Sequence, residues 1–454
     1  MMIRATCSFP PGFLWGAATA AHQVEGDNTN NDWWDWEQQP GRILGGHRSG
    51  KACDWWGGRW AEDFDRAAQA GQNTHRLSVE WSRIEPSPAM WDDSALDAYR
   101  QMLRGALERG LMPMVTLHHF TSPRWLAERG GWLAEDIVPL FERYARKVVG
   151  ALHDLAGLWV TINEPNVLAS SGYAGKEFPP GAHSMPKAVR ALRNTALAHA
   201  AVYHAIHELQ PGALVGLAHH VRGFAPARPG HLLDEQIARL RARVFNETIP
   251  RVAADGRFRV LGRTERLTAV AGTQDFFGLN YYTVERCAFD LRQPGELFTR
   301  GFFPPGADLS PTGFIANEPD GFTRAMQWAR RFGLPIYITE NGVEDADDRM
   351  RPRYLAAHIH RVWKAVNIGT PVRGYYHWSL VDNFEWERGW TQRFGLWGLD
   401  TETQARQRRP SVDFYAEICK ANALSSEMVA RYAPDVLERL FPSHGPEGLD
   451  LQRG

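Results

Sequence analysis

Ile336-Tyr337-Ile338-Thr339-Glu340-Asn341-Gly342 is a run of β-formers that ends on a carboxylate and then turns. Pro335 to Thr339 reads as a buried strand, and Asn341-Gly342 is turn chemistry directly behind it. A carboxylate at the mouth of a buried strand is costly unless its charge is used. Trp159-Val160-Thr161-Ile162-Asn163-Glu164-Pro165 repeats the arrangement, with a strand, then Glu, then a residue that stops the ladder. Two carboxylates at two strand ends make a pair.

Working outward, short β-rich runs alternate with longer segments of helical period. Strands are expected at Phe13 to Thr19, Thr74 to Glu80, Met112 to His119, Trp159 to Glu164, Leu214 to His220, Asp275 to Tyr282, Pro335 to Asn341 and Val372 to Leu380. Helices are expected between them at Arg59 to Ala70, Ser94 to Arg109, Ala134 to Leu155, Pro186 to Leu209, Leu232 to Ala253, Pro319 to Phe332 and Pro352 to Ile368, with a last one at Ser411 to Ala421. In the third, Ile137, Phe141, Tyr144, Val148 and Leu152 recur at three and four, the stripe of a helix facing a sheet. The alternation predicts an α/β fold, a single (β/α)8 TIM barrel over the whole chain. Its core spans about residues 9 to 422, and residues 423 to 454 add a C-terminal helix and a loose tail. Long loops after the strands, Asp27 to Trp56, Glu285 to Asn317 and Asp382 to Phe394, keep their aromatics and form a pocket rather than linkers.

The 454 residues carry a net charge of −1, so no global field draws nucleic acid or an anionic membrane. The expected partner is a small uncharged molecule. Four scattered cysteines lack C-x-x-C spacing, which indicates neither a disulfide framework nor a zinc knuckle. No signal peptide or membrane span is recognisable, and a cytoplasmic location is expected. The 18 tryptophans often neighbour polar groups, as in Glu385-Trp386-Glu387, and such mixed surfaces suit sugars.

In a barrel, Glu164 ends the fourth strand and Glu340 the seventh, so both face the carboxyl-terminal mouth where barrel enzymes act. Carboxyl groups about 5 Å apart suit retaining glycoside hydrolysis, one attacking the anomeric carbon while the other protonates the leaving oxygen. Either Glu alone reads more simply as a strand cap or an arginine partner. Two after matching strands favour chemistry.

Thr161-Ile162-Asn163-Glu164-Pro165 and Ile338-Thr339-Glu340-Asn341-Gly342 resemble the signature segments of glycoside hydrolase family 1, the β-glucosidase and β-galactosidase type. Phe13 to Thr19 with Gln23-Val24-Glu25-Gly26, Arg76 to Arg83, Thr116 to Phe120, Gly278 to Tyr282 and Trp378 to Trp386 are similar to further family segments in the same order. The resemblance implies Glu340 as nucleophile and Glu164 as acid/base. Arg76 and the Tyr282 hydroxyl would keep Glu340 ionised, and the charge of Glu340 would raise Glu164. It also implies Asn163 on the sugar 2-hydroxyl, Gln23, His119, Asn280, Glu385, Trp386 and Phe394 around the sugar, and Trp378 stacking beneath the ring. No cofactor or metal is implied. Glu385 argues for an unphosphorylated sugar, and the intact Glu164 argues against a thioglucosidase.

The expected reaction is hydrolysis of terminal β-D-glucosyl residues, with β-galactosyl and β-fucosyl, from β-glucosides and cello-oligosaccharides. A transglycosylating enzyme would share every residue above, and a non-catalytic sugar-binding barrel is the remote alternative. His118-His119 and His219-His220 invite a metal reading, but neighbours on a strand face opposite ways, so each pair offers one inward ligand at most. Arg406, Arg408 and Arg409 read as solvated surface, and Glu427 to Leu440 as an ordinary surface helix. Departures from the commoner family pattern fall at Phe120-Thr121-Ser122-Pro123, at Phe314 and at the fifth strand end, His219-His220-Val221-Arg222. They bear on the leaving group rather than the chemistry.

Overall fold

The computed structural model describes residues 4–442. The loose tail expected from Pro442 to Gly454 lies outside the described residues except for Pro442. Eight strands form a closed barrel: β1 (Leu14–Ala18), β2 (Thr74–Ser78), β3 (Met112–His118), β4 (Leu158–Asn163), β5 (Leu214–His220), β6 (Phe276–Asn280), β7 (Ile336–Asn341) and β8 (Val372–Trp378). They follow one another around the barrel in chain order, each parallel to its neighbours, and β8 closes on β1 through Tyr375 opposite Trp15. Consecutive side chains of a strand point to opposite faces, so they alternate between the barrel interior and the helix layer. Arg76 crosses the interior to the Thr339 carbonyl at 3.2 Å, while His75 packs outward on Phe64 with ring centroids 5.1 Å apart.

The helix layer comprises α1 (Trp60–Gln69), α2 (Asp93–Glu108), α3 (Ile137–Leu152), α4 (Met185–Leu209), α5 (Leu232–Ala242), α6 (Thr248–Asp255), α7 (Pro319–Arg330), α8 (Arg351–Asn367) and α9 (Pro410–Ala421). All five residues of the predicted α3 stripe are buried. Each contributes about 1.5–3 kcal/mol relative to exposure, which is what fixes the helix against the sheet.

Three expectations are corrected. The helix predicted from Leu232 to Ala253 is two helices joined by a wider turn, Arg243–Glu247. Asn246 in that turn is tied to Arg222, accepting from its N–H at 3.1 Å and donating to its carbonyl at 2.8 Å. The segment from Glu427 to Leu440 is also broken, into Ser426–Tyr432 and Leu437–Leu440, because Pro434 cannot continue the first helix. Val429, Val436 and Leu440 are buried in the core shared with α8 and α9, so the segment is docked rather than an ordinary surface helix. The arginine cluster is mostly interior. Arg406 donates to Asp63 at 2.7 Å, and Arg409 grips both carboxylate oxygens of Asp382 at 2.8 and 2.9 Å. Arg408 alone is exposed, paired with Asp413. Buried arginines need such partners, and the pair at Asp382 anchors the loop that carries Glu385.

Candidate active site

At the carboxyl ends of the strands lies a cavity of about 450 Å³. Glu340 enters it from the end of β7. Its Oε1 accepts from Arg76 Nη1 at 2.6 Å and its Oε2 accepts from the Tyr282 hydroxyl at 2.7 Å. Gly342 follows, and a Cβ there would stand 2.0 Å from the Trp378 carbonyl oxygen, so only glycine lets β7 and β8 converge behind the carboxylate. Glu164 leaves β4 in the left-handed region, at φ 43°, ψ 59°, with Pro165 opening a helical turn behind it. A non-glycine residue held there costs on the order of 1 kcal/mol. Phe120 and Trp386, which also line the cavity, have positive φ as well.

One network joins the two carboxyl groups. Arg76 Nη2 donates to Asn163 Oδ1 at 2.7 Å. Asn280 Nδ2 donates to the same oxygen at 3.2 Å and to Glu164 Oε1 at 2.8 Å, while its own oxygen accepts from Thr339 at 2.6 Å. Asn163 Nδ2 lies 3.0 Å from His119 Nε2. Glu164 Oε1 also has His220 Nδ1 at 3.1 Å, although that contact is not aligned as a hydrogen bond.

Burial raises both carboxyl groups, and their neighbours pull against it. Burial pushes Glu340 up against the pull of Arg76, with the charge of Glu164 adding to the rise and Tyr282 opposing it. Burial also raises Glu164, but His220, then Asn280 and Arg76, bring it below its ordinary value. When His220 is charged, a cation stands beside each carboxyl group; when it is neutral, Arg76 is the one cation touching the pair, and it touches Glu340.

Around the mouth, the His119 ring lies 6.0 Å from those of Trp378 and Trp386 and near parallel to each. His119 Nδ1 and Gln23 Oε1 are buried without a hydrogen-bond partner among the described residues. Gln23 Nε2 donates to the Phe384 carbonyl at 2.8 Å, to Asn383 at 2.9 Å and to Glu385 at 3.2 Å. Burial, with the charges of Glu387 and Glu340, holds Glu385 well above the usual carboxylate range. Of the twelve residues singled out from sequence, Asn163, Glu164, Tyr282, Glu340, His119, Trp378, Glu385, Trp386 and Phe394 line the cavity. Arg76, Asn280 and Gln23 stand behind that lining, each bonded to a member of it. The remaining lining mixes apolar side chains, among them Phe178, Met185, Leu192, Val244, Phe245 and Phe314, with charged ones such as Arg222, Arg241 and Glu387.

Sequence reasoning weighed His220 as a metal ligand and as part of a departure bearing on the leaving group, and missed its contact with Glu164. The signal was there in its place at a strand end, facing inward by alternation. Among the described residues, no group of three or more His, Cys, Asp or Glu is arranged to hold a metal ion, and no helix is long and apolar enough to cross a membrane.

The sequence profile of glycosyl hydrolase family 1 matches residues 5–424. Beta-glucosidase A of Thermotoga maritima is 30% identical over 447 residues, covering 92% of this chain and 98% of that protein. A beta-galactosidase of Sulfolobus acidocaldarius is 32% identical over 484 residues, covering 93% and 97%. Among solved structures, a beta-glycosidase from Pyrococcus horikoshii superposes with a TM-score of 0.87 at 35% identity, covering 94% of this chain and 98% of that one.

Proposed function

The chain belongs to glycosyl hydrolase family 1 and is a glycoside hydrolase, and from that premise we propose that it is a retaining β-glycosidase releasing terminal β-D-glucosyl residues. β-Galactosyl and β-fucosyl residues are accepted too, in keeping with relatives named for glucosidase and galactosidase activity. The barrel and its docked C-terminal segments act as one catalytic domain. The observation that carries the reading is a pair of buried carboxyl groups at the ends of β4 and β7, lining one cavity and tied into one hydrogen-bond network.

In the first step Glu340 attacks the anomeric carbon while the proton on Glu164 passes to the departing oxygen. The covalent ester removes the charge of Glu340. Glu164, now ionised, takes a proton from water, the water oxygen bonds the anomeric carbon on the face the leaving group left, and the ester breaks. Arg76 and Tyr282 hold Glu340 in the attacking geometry and favour its charged form. Asn163 meets the 2-hydroxyl, and Gln23, His119 and Glu385 meet the outer hydroxyls over Trp378. Buried polar groups of this kind penalise a ligand that lacks the matching hydroxyl. The apolar side chains in the lining suit a leaving group with apolar surface, such as an aryl or alkyl alcohol, besides the glucose of cello-oligosaccharides.

The test is a trapping experiment with 2-deoxy-2-fluoro-β-D-glucosyl fluoride, whose electron-poor ring slows both steps while its good leaving group speeds the first, so that the ester accumulates. Mass spectrometry is expected to find one fluoroglucosyl adduct, on the peptide carrying Glu340. No adduct, or an adduct on another residue, contradicts the double displacement through Glu340.

A further inference from the structure

His220 ends β5, buried to 8% exposure in the wall of the cavity. Its Nδ1 stands 3.1 Å from Glu164 Oε1, and neither ring nitrogen has an aligned hydrogen-bond partner among the described residues. The backbone is held, because the His220 carbonyl accepts from Asn166 Nδ2 at 2.8 Å, and the ring is wedged between Phe245 and Tyr282, centroids 5.6 and 5.7 Å away. A buried imidazole fixed against a carboxyl group, with no other polar partner to satisfy it, is placed to exchange a proton with that group.

We propose that His220 is a positioning residue that holds the leaving-group proton jointly with Glu164. The inference rests on Glu164 being the acid. In the free enzyme the pair carries one proton, as neutral imidazole beside the carboxylic acid or as imidazolium beside the carboxylate. When the glycosidic C–O bond breaks and the Glu340–carbon bond forms, that proton leaves Glu164 for the departing oxygen and the pair is left empty. When water attacks and the ester breaks, one water proton returns to the pair. No other donor is needed.

The charged and titratable groups around the imidazole come from each neighbouring element. Glu164 follows β4, Tyr282 follows β6 and Glu340 ends β7, while Arg222 follows β5 and Arg241 lies on α5. Both arginines are already paired, Arg222 with Glu285 at 3.3 Å and Arg241 with Glu296 at 3.1 Å. Glu164 is the carboxylate in contact with the ring.

Two sites sharing a proton lose it at a pH no lower than either would alone. The alkaline limb of kcat/KM therefore lies higher in the wild type than in a variant with Glu164 alone. In His220→Asn, and in His220→Gln should the first not fold, the alkaline limb for cellobiose is expected to move down by about half a pH unit or more. For 2,4-dinitrophenyl β-glucoside, whose leaving group needs no proton, the shift should vanish. Coincident alkaline limbs overturn the proposal, even with a lower kcat/KM at every pH, because that result makes His220 a piece of wall. Glu164→Gln is measured alongside. If it hydrolyses cellobiose at the wild-type rate, the acid assignment fails and the shared proton with it; if it is crippled while the His220 limbs coincide, the shared proton alone fails.

Discussion

Glu340 and Glu164 end strands of the same barrel and enter the same cavity, yet their surroundings differ in kind. Around Glu340 are one permanent cation, Arg76, and one hydroxyl donor, Tyr282, both in firm contact. Around Glu164 are a neutral amide, Asn280, and an imidazole that can gain or lose a proton. A nucleophile needs its charge kept in place through attack, and an acid/base needs neighbours that tolerate both of its protonation states. The difference between the two shells is the structural form of that division of labour.

The contrast is broken most severely at Glu340. Glu340→Gly is expected to lower hydrolysis of an aryl β-glucoside by roughly four orders of magnitude or more, with the circular dichroism spectrum unchanged. Unchanged turnover would remove the nucleophile assignment. Glu164→Ala sharpens the contrast by separating two half-reactions. Hydrolysis of cellobiose should fall by about 10²–10⁴-fold. An activated aryl glucoside should still form the intermediate, and added azide should restore turnover as the β-glycosyl azide; an α-product would contradict retention.

The remaining two variants compare the shells directly. Arg76→Met leaves a buried carboxylate without its cation, costing about 3–5 kcal/mol of its stabilisation, or roughly 10²–10⁴ in kcat/KM. Asn280→Ala removes a neutral donor, costing about 1–3 kcal/mol, and should be the milder of the two by kcat/KM on the same substrate. The reverse ranking would mean that charge is not what distinguishes the two strand ends.

The barrel was legible because its evidence is local. Eight β-rich runs, the α3 stripe and the turn behind Glu340 each depend on residues close together in the chain, and the structure keeps them within a few residues of expectation. The family motifs carried the twelve site residues for the same reason. The misread features depend on partners far away in sequence. Arg406 and Arg409 look like a solvated run until Asp63 and Asp382, 343 and 27 residues distant, are folded against them. The break between α5 and α6 follows from Asn246 reaching the backbone of Arg222. His220 and Glu164 sit at the ends of adjacent strands, 56 positions apart, so their contact does not show in the linear sequence. Pairing across strands, rather than the strands themselves, is what the linear pattern withholds.

The most direct measurement is a proton NMR time course of the wild-type enzyme with p-nitrophenyl β-D-glucoside, read before mutarotation scrambles the product. β-Glucose as the first anomer is the expected result, because two inversions through Glu340 restore the starting configuration. α-Glucose appearing first would contradict the double displacement on which every role assigned to the two strand ends depends.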